Sequence, residues 1–411
     1  MRVLYVTNRI CWPVTSGAHL RDFHVALHLS RHAKLTYLGM DARAGGRQEV
    51  SEAPIEPFGD ARVIRVRLSP GYTAGKILRG LVGPRPLNLL HYDSALMVQQ
   101  LERLLADDSF DVVQIEGIFI VSYAKLIRRL ARRALLNCDW HNIESENMSR
   151  YAENTPGLPR KLYARRTASL LHKEEDVLLQ TSDTHTVCSE RERQELLGRN
   201  PGLRIEVIPN GVDVASFRSS PSQPGAARRN LVFVGAMHYH ANVDGIRFFA
   251  REIWPMIHQR RTELQLMVVG ANPTAEVLKL RNQPGITVTG TVDDVRPFYR
   301  DALAAVVPLR VGGGTRLKIL EAMAAGVPVI STTLGAEGLD VTNGTDILLA
   351  DSPEDFAECV AALQPDSELW GNLVEAGKKV VRNYDWGVVG DKLLSFYDSS
   401  RAVASRQIVP Q

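Results

Sequence analysis

The sequence predicts an α/β protein made of two doubly wound parallel-sheet domains with a cleft between them. Three observations carry that expectation. Apolar strand-like runs alternate with helix-like stretches along the chain, the pattern of a parallel sheet covered on both faces. A Ser-, Pro- and Gly-rich stretch without periodicity, residues 217–229, separates two such series. The block VVPLRVGGGTRLKILEAMAAGVPVISTTLGAEGL, residues 306–339, reads as strand, glycine triplet, helix, strand and glycine-bearing turn. A length of 411 residues fits two domains of roughly 100–200 residues each.

In the first series, residues 2–6 read as a buried strand and 20–30 as an amphipathic helix. Strands follow at 33–39, 62–68 and 111–115, then a helix at 122–133. Strands at 134–137, 184–188 and 204–208 end this half. In the second series, strand 230–235 leads into helix 243–258, and strands at 264–269, 286–289 and 304–308 precede the glycine helix. Strand 327–331 follows it. The domains are therefore expected at 1–215 and 216–387, with a last helix, 388–411, closing back on the first.

The glycine block carries the chemistry. Gly312, Gly313 and Gly314 let the backbone approach a ligand closely, since no Cβ intervenes. A helix opening near Thr315 presents free N–H groups and a dipole that favour an anion. Lys318 and Glu321 lie three residues apart and share one helix face, whereas Arg316 lies about 160° round the axis from Lys318. An anion site beside a cation and a carboxylate suits a nucleoside diphosphate whose ribose hydroxyls need an acceptor.

With these residues, VIPNGVD at 207–213 and FVGAMHYHANVDGIRFF at 233–249, the chain resembles a family-4 glycosyltransferase of the GT-B architecture, two facing Rossmann-like domains. The resemblance covers nearly all of the chain. It implies sugar transfer from a nucleoside-diphosphate sugar to an acceptor hydroxyl, with retention at the anomeric carbon. The second domain would hold the donor and the first the acceptor. Two departures stand out. Many members carry a Glu where this chain has Gly313, eight residues before Glu321. Many also carry Arg and Lys after the first strand of the second domain, where this chain reads Ala236-Met237-His238 and then Ala241-Asn242. Lys318 and Arg316 are the cations that would replace them.

The site expected from residues and resemblance is as follows. Lys318, Arg316 and the backbone N–H groups of Gly313, Gly314 and Thr315 would stabilise charge growing on the leaving diphosphate, where loss of one donor typically costs about 10²–10³-fold in rate. Glu321 would accept from the ribose. His141, just after a strand in CDWHNIES, would contact the transferred sugar or leaving oxygen; a capping role in a polar loop is the competing explanation. Glu144 and Glu146 are candidates to orient it or an acceptor hydroxyl. The resemblance places the first strand–helix loop against the donor diphosphate or the acceptor, with Gly17 a donor-side and Ser16 an acceptor-side candidate, and Glu116 with Gly117 are further acceptor-side candidates. His238 and Asn242 are candidates for phosphate, Val292 for the base edge, and Glu337 for the sugar.

Composition excludes other classes. Apolar residues at 45% and charged residues at 23% describe an ordinary globular protein, and a net charge of +3 is too small to imply nucleic-acid binding. Cys11, Cys138, Cys188 and Cys359 have no metal-ligand spacing. No carboxylate pair suggests a divalent cation, so neither metal nor cofactor is expected, and a UDP or GDP sugar is the expected co-substrate. The N-terminus lacks a signal-peptide pattern and no run of roughly 20 apolar residues occurs, which points to the cytoplasm. Basic helix faces at Arg128, Arg129, Arg132 and Arg133, and at Arg160, Lys161, Arg165 and Arg166, are compatible with peripheral contact to an anionic membrane, though solvated faces are commoner. The acceptor could be carbohydrate or lipid-linked, in cell-surface polysaccharide synthesis. Competing readings are a nucleotide-sugar epimerase, a phosphorylase or synthase, and a non-catalytic nucleotide-sugar-binding subunit.

Overall fold

The computed structural model describes residues 1–14, 17–42, 49–68, 72–154, 157–218, 228–311, 316–365 and 367–407. Ser16, Gly312, Gly313, Gly314 and Thr315, and most of the 217–229 linker, lie outside the described residues. The chain divides into two compact units, Met1–Pro209 with Gly390–Gln411, and Asn210–Val389.

The first unit is an eight-stranded sheet of β1 (Arg2–Thr7), β2 (Lys34–Asp41), β3 (Val50–Glu52), β4 (Arg62–Arg67), β5 (Val112–Glu116), β6 (Leu135–Trp140), β7 (Thr184–Val187) and β8 (Ile205–Val207). Their order is β3-β4-β2-β1-β5-β6-β7-β8, parallel except for the short edge strand β3. The helices include α1 (Gly17–His32), α2 (Ala74–Val82), α3 (Ala95–Asp107), α4 (Val121–Leu130), α5 (Glu144–Asn154), α6 (Leu158–Thr181) and α7 (Glu190–Arg199). Thr73, Ser94 and Ser189 begin α2, α3 and α7 by accepting the backbone N–H three residues on. The strand order reverses between β1 and β5, and ligands of such sheets bind at the carboxyl ends beside that reversal.

The second unit is a six-stranded parallel sheet of β9 (Asn230–Val234), β10 (Gln265–Val269), β11 (Ile286–Gly290), β12 (Ala302–Val307), β13 (Val329–Ser331) and β14 (Leu348–Leu349), ordered β11-β10-β9-β12-β13-β14. Its reversal falls between β9 and β12. Its helices include α8 (His240–Phe248), α9 (Trp254–Arg260), α10 (Leu317–Ala324), α11 (Pro353–Ala362) and α12 (Glu368–Arg382). The expected single helix at 243–258 is broken by a π-turn, Phe249–Ile253. Pro255 supplies no N–H and crowds the carbonyl four residues back, so the backbone widens just before it. The last helix, α13 (Trp386–Gln407), begins two residues earlier than expected; from Gly390 onward it belongs to the first unit, where the Tyr397 hydroxyl donates to Gln114.

Candidate functional site

In the first unit the reversal point is lined by side chains that alternate along three neighbouring strands. Gln114 and Glu116 of β5 stand in register with Asn137 and Asp139 of β6, which in turn face Thr184 and Thr186 of β7. Residues two apart share one face of a strand, so the six form a buried polar ladder. Asn137 donates to Gln114 (2.6 Å) and Thr186 donates to Asp139 (2.6 Å). The expected strand at 134–137 in fact runs to Trp140, which places His141 at its carboxyl end.

His141 Nε2 donates to Glu116 Oε2 at 2.6 Å and lies 3.1 Å from Asp22 Oδ1. Asp22, on the buried face of α1, also accepts from the Thr7 hydroxyl (3.3 Å) and faces Arg9 Nε (3.4 Å). Its neighbour Arg21 grips Asp139 through two bonds of 2.7 Å. Burial opposes the charge on His141, but Asp22 and then Glu116 outweigh it and push its pKa up to about 10. Burial raises Glu116 to about 7, with Asp139 adding to the rise. Asp22 and Asp139 sit below the ordinary carboxylate range because Arg9 and Arg21, respectively, overcome burial. Three acids thus face Arg9, Arg21 and an imidazolium. Asp22, Glu116 and His141 also bring ligand atoms within 4.8 Å of one another, the spacing of a metal site. Charge balance favours the proton there: a divalent cation would add to two guanidinium groups already present.

In the second unit, α10 starts at Leu317, with Arg316 at its N-cap and largely buried. This removes the supposed 160° separation, because Arg316 precedes the helical turn. Lys318 Nζ donates to Asn242 Oδ1 (2.7 Å) and lies 4.3 Å over the Phe233 ring. The Asn242 amide nitrogen donates to Ala236 O (3.0 Å), so this side chain ties the loop after β9 to α10. Gly235 makes room for both: a Cβ there would lie 2.6 Å from Asn242 Nδ2 and 3.0 Å from Lys318 Nζ. Burial, and then the Arg316 charge, lower the Lys318 pKa to about 7. Glu321, one turn on, accepts from the Tyr299 hydroxyl (3.3 Å), and burial raises its pKa despite that bond and Lys318. Tyr299 also reaches Lys318 O (3.4 Å).

The structure therefore gathers Lys318, Arg316, Glu321 and Asn242 at one reversal point, and His141 with Glu116 at the other. Glu144 accepts from Asn142 (3.5 Å), and Glu146 pairs with Arg150 and Arg191. Gly17 is the exposed first residue of α1, and Gly117 follows β5 with φ +66°. His238 is exposed, Val292 packs on the core of its unit, and Glu337 is half-buried at the end of a short turn. Sequence reasoning misses Asp22, Asp139, Arg9, Arg21 and Tyr299. The first four are legible only as charged residues at positions where the pattern calls for apolar ones.

Two family models match the chain. "Glycosyltransferase Family 4" covers residues 58–216 and "Glycosyl transferases group 1" covers 228–366. The phosphatidyl-myo-inositol mannosyltransferase of Mycobacterium leprae is 29% identical over 210 residues, 48% of this chain and 54% of that protein. Glycogen synthase of Mycobacterium tuberculosis is 28% identical over 243 residues, 55% of this chain and 56% of the relative. The chain spans about half the length of the curated relatives it matches. Among solved structures, sucrose-phosphate synthase from Thermosynechococcus elongatus aligns over 98% of this chain and 100% of its own, at TM-score 0.69 and 17% identity. Anabaena HepE in complex with UDP and glucose aligns over 97% and 100%, at TM-score 0.65 and 13% identity. These likenesses give both units the GT-B fold.

Proposed function

We propose that this chain, which belongs to glycosyltransferase family 4, moves a sugar from a nucleoside-diphosphate sugar to an acceptor hydroxyl. The observation that carries the reading is the cation–carboxylate pair on α10. Lys318 is held by Asn242 at the mouth of the second unit's reversal point, and Glu321 follows one turn later with Tyr299 fixing its carboxylate. A diphosphate placed at Lys318 and Arg316 leaves its ribose within reach of Glu321. Fixed cations aimed at the leaving diphosphate lower the barrier because they need no reorganisation as charge develops. In the first unit, the His141 imidazolium is held by two carboxylates and suits stabilising an oxygen that gains negative charge. Neither role needs a metal. We read the transfer as retaining, with a polysaccharide or lipid-linked acceptor. In support, the HepE structure holds UDP and glucose, and the mycobacterial relative is named for a lipid acceptor.

The test is a thermal-shift panel of UDP, GDP, ADP and their sugars, followed by turnover of the stabilising donor with and without a chelator. A ligand at a hundredfold excess over its Kd stabilises by about 2.7 kcal/mol. Glu321→Ala should abolish that shift while leaving the ligand-free transition in place. A panel in which no nucleotide moves the transition, or in which Glu321→Ala keeps the shift, would overturn the assignment.

A further inference from the structure

A surface helix normally buries its apolar stripe. Helix α2 does the reverse. Ile77, Leu78, Leu81 and Val82, paired at i and i+4, are 40%, 62%, 50% and 76% exposed. The cause is the seat. α2 rests on the protein through Gly80, where a Cβ would lie 2.5 Å from that of Leu87, so only the glycine face fits inward. Arg166 of α6 fixes the arrangement by donating to Gly80 O (2.9 Å) and Gly83 O (2.5 Å). The same arginine places the first turns of α6 beside α2. There Leu158, Leu162 and Tyr163 are 68%, 55% and 40% exposed. Two helices tied through Arg166 thus each present exposed apolar side chains, of a kind that marks an interaction surface.

The patch has cationic company. Arg79 on α2, and Arg160, Lys161 and Arg165 on α6, surround it; among the described residues none of the four makes an ion pair. This contrasts with arginines elsewhere in the unit, such as Arg62, Arg85, Arg128, Arg150 and Arg199, each paired with an acid. On the other basic face noted in the sequence, Arg128 is spent internally, on Asp183 and the carbonyls of Ala131 and Ala134, while Arg129, Arg132 and Arg133 stay exposed.

We propose that α2 and the first turns of α6 form a docking surface for a bilayer carrying anionic lipid. Leucine and tyrosine side chains enter the headgroup–acyl boundary while the flanking cations meet lipid phosphates, the division of labour of an interfacial helix. The charge pattern selects a membrane over a second copy of the chain, whose identical patch would set like charges against each other. The docking surface stands independently of the reaction proposed above.

The test is flotation of the full chain with vesicles of phosphatidylcholine alone or with about one third phosphatidylglycerol. The wild type should float with the anionic vesicles only, and rising salt should release it. Removing Arg160, Lys161 and Arg165 together by alanine substitution should weaken partitioning about a hundredfold, at about fivefold per charge. Leu78→Glu with Leu81→Glu should abolish it. All these side chains are exposed or partly so and lie outside the candidate site, so the thermal transition should stay unchanged in both variants. Equal binding to neutral vesicles, or unchanged flotation of the variants, would overturn the proposal. A wild-type dimer that Leu78→Glu with Leu81→Glu converts to monomer would also overturn it, by assigning the face to self-association.

Discussion

Replacing Lys318 by Met separates what this residue does for stability from what it does for a ligand. Its pKa is about 7 against an ordinary 10.5, lowered by burial and then by Arg316. A lowered value in the folded state means that the unfolded chain binds the proton more tightly. Stability is therefore fullest above pH 10.5, is lost as pH falls toward 7, and is flat below. At about 1.36 kcal/mol per unit, the interval sets a ceiling of about 5 kcal/mol at neutral pH. Lys318 as a residue is only partly buried, so about half of that is a fairer figure. Methionine keeps the apolar stem over Phe233 but leaves Asn242 Oδ1 without its donor, a loss of about 1–2 kcal/mol. Lys318→Met should thus gain about 1 kcal/mol at pH 7, or about 2–4 °C in the second unit's Tm, and should fall below the wild type by about 1 kcal/mol near pH 10.5. Calorimetry of both proteins between pH 6.5 and 10.5 reads the crossing directly. Curves that run parallel would refute the buried-ammonium argument, because they require Lys318 to titrate at its ordinary value. The same variant should lose nucleotide binding at every pH.

Three further outcomes follow from the two sites. Tyr299→Phe removes a long bond to Glu321 and should weaken nucleotide binding by about three- to tenfold in calorimetric titration, with stability changed by less than about 1 kcal/mol. Asp139→Asn strands the buried Arg21 and should cost about 3–5 kcal/mol, read by urea unfolding of the first unit. In the wild type that stabilisation is present above the ordinary Asp pKa and is lost as pH falls through the lowered folded value. Glu116→Gln removes one of the anions holding the imidazolium and should bring the His141 pKa down from about 10, seen in imidazole NMR titration; an unmoved value would refute the pairing. Because that pKa is raised, the stability it supplies is full below about pH 6.5 and is lost as pH rises through about 10.

Period and punctuation made the sheets legible. Ala302–Val307 is apolar at every position and fully enclosed, and it reads as a central parallel strand without further help. The glycine block, Lys318 and Glu321 were legible for the same reason: chemistry concentrated in one short segment leaves a local trace. The first unit's site has no such trace. Its six ladder residues come from three strands, and each strand carries only two of them. VVQIE, LLNCDW and THTV do show the alternation, and a polar residue at every second position of three successive strands is a signal for a buried polar face. Asp22 and Arg21 were harder still, since a charged pair within a helix ordinarily faces water. Only the register of β5, β6 and β7 shows what they cover. Helix α2 misleads in the opposite sense: its pattern predicts a buried face, and the glycine that reverses it acts through Leu87, seven residues on.

The loop after β9 shows how the second unit dispenses with the cations usual there. An ammonium placed on that loop would meet Lys318 at Gly235, where space is already filled by Lys318 Nζ and the Asn242 amide. Two cations in that space would repel in a poorly hydrated setting, and one would give up its proton. A neutral amide avoids the conflict. Asn242 can fix the position of the single ammonium, and its own NH₂ is satisfied by Ala236 O, so nothing polar is left stranded when the ligand departs. The arrangement makes Lys318 a reserve of charge: near-neutral in the empty site, and drawn to its protonated form when a diphosphate arrives. Nucleotide binding at pH 8 should therefore take up close to one proton, which calorimetry in two buffers of different ionisation enthalpy measures. With Asn242→Lys the uptake should persist, since one of the two amines starts neutral. Binding by the wild type without proton uptake would show that the lysine is charged throughout.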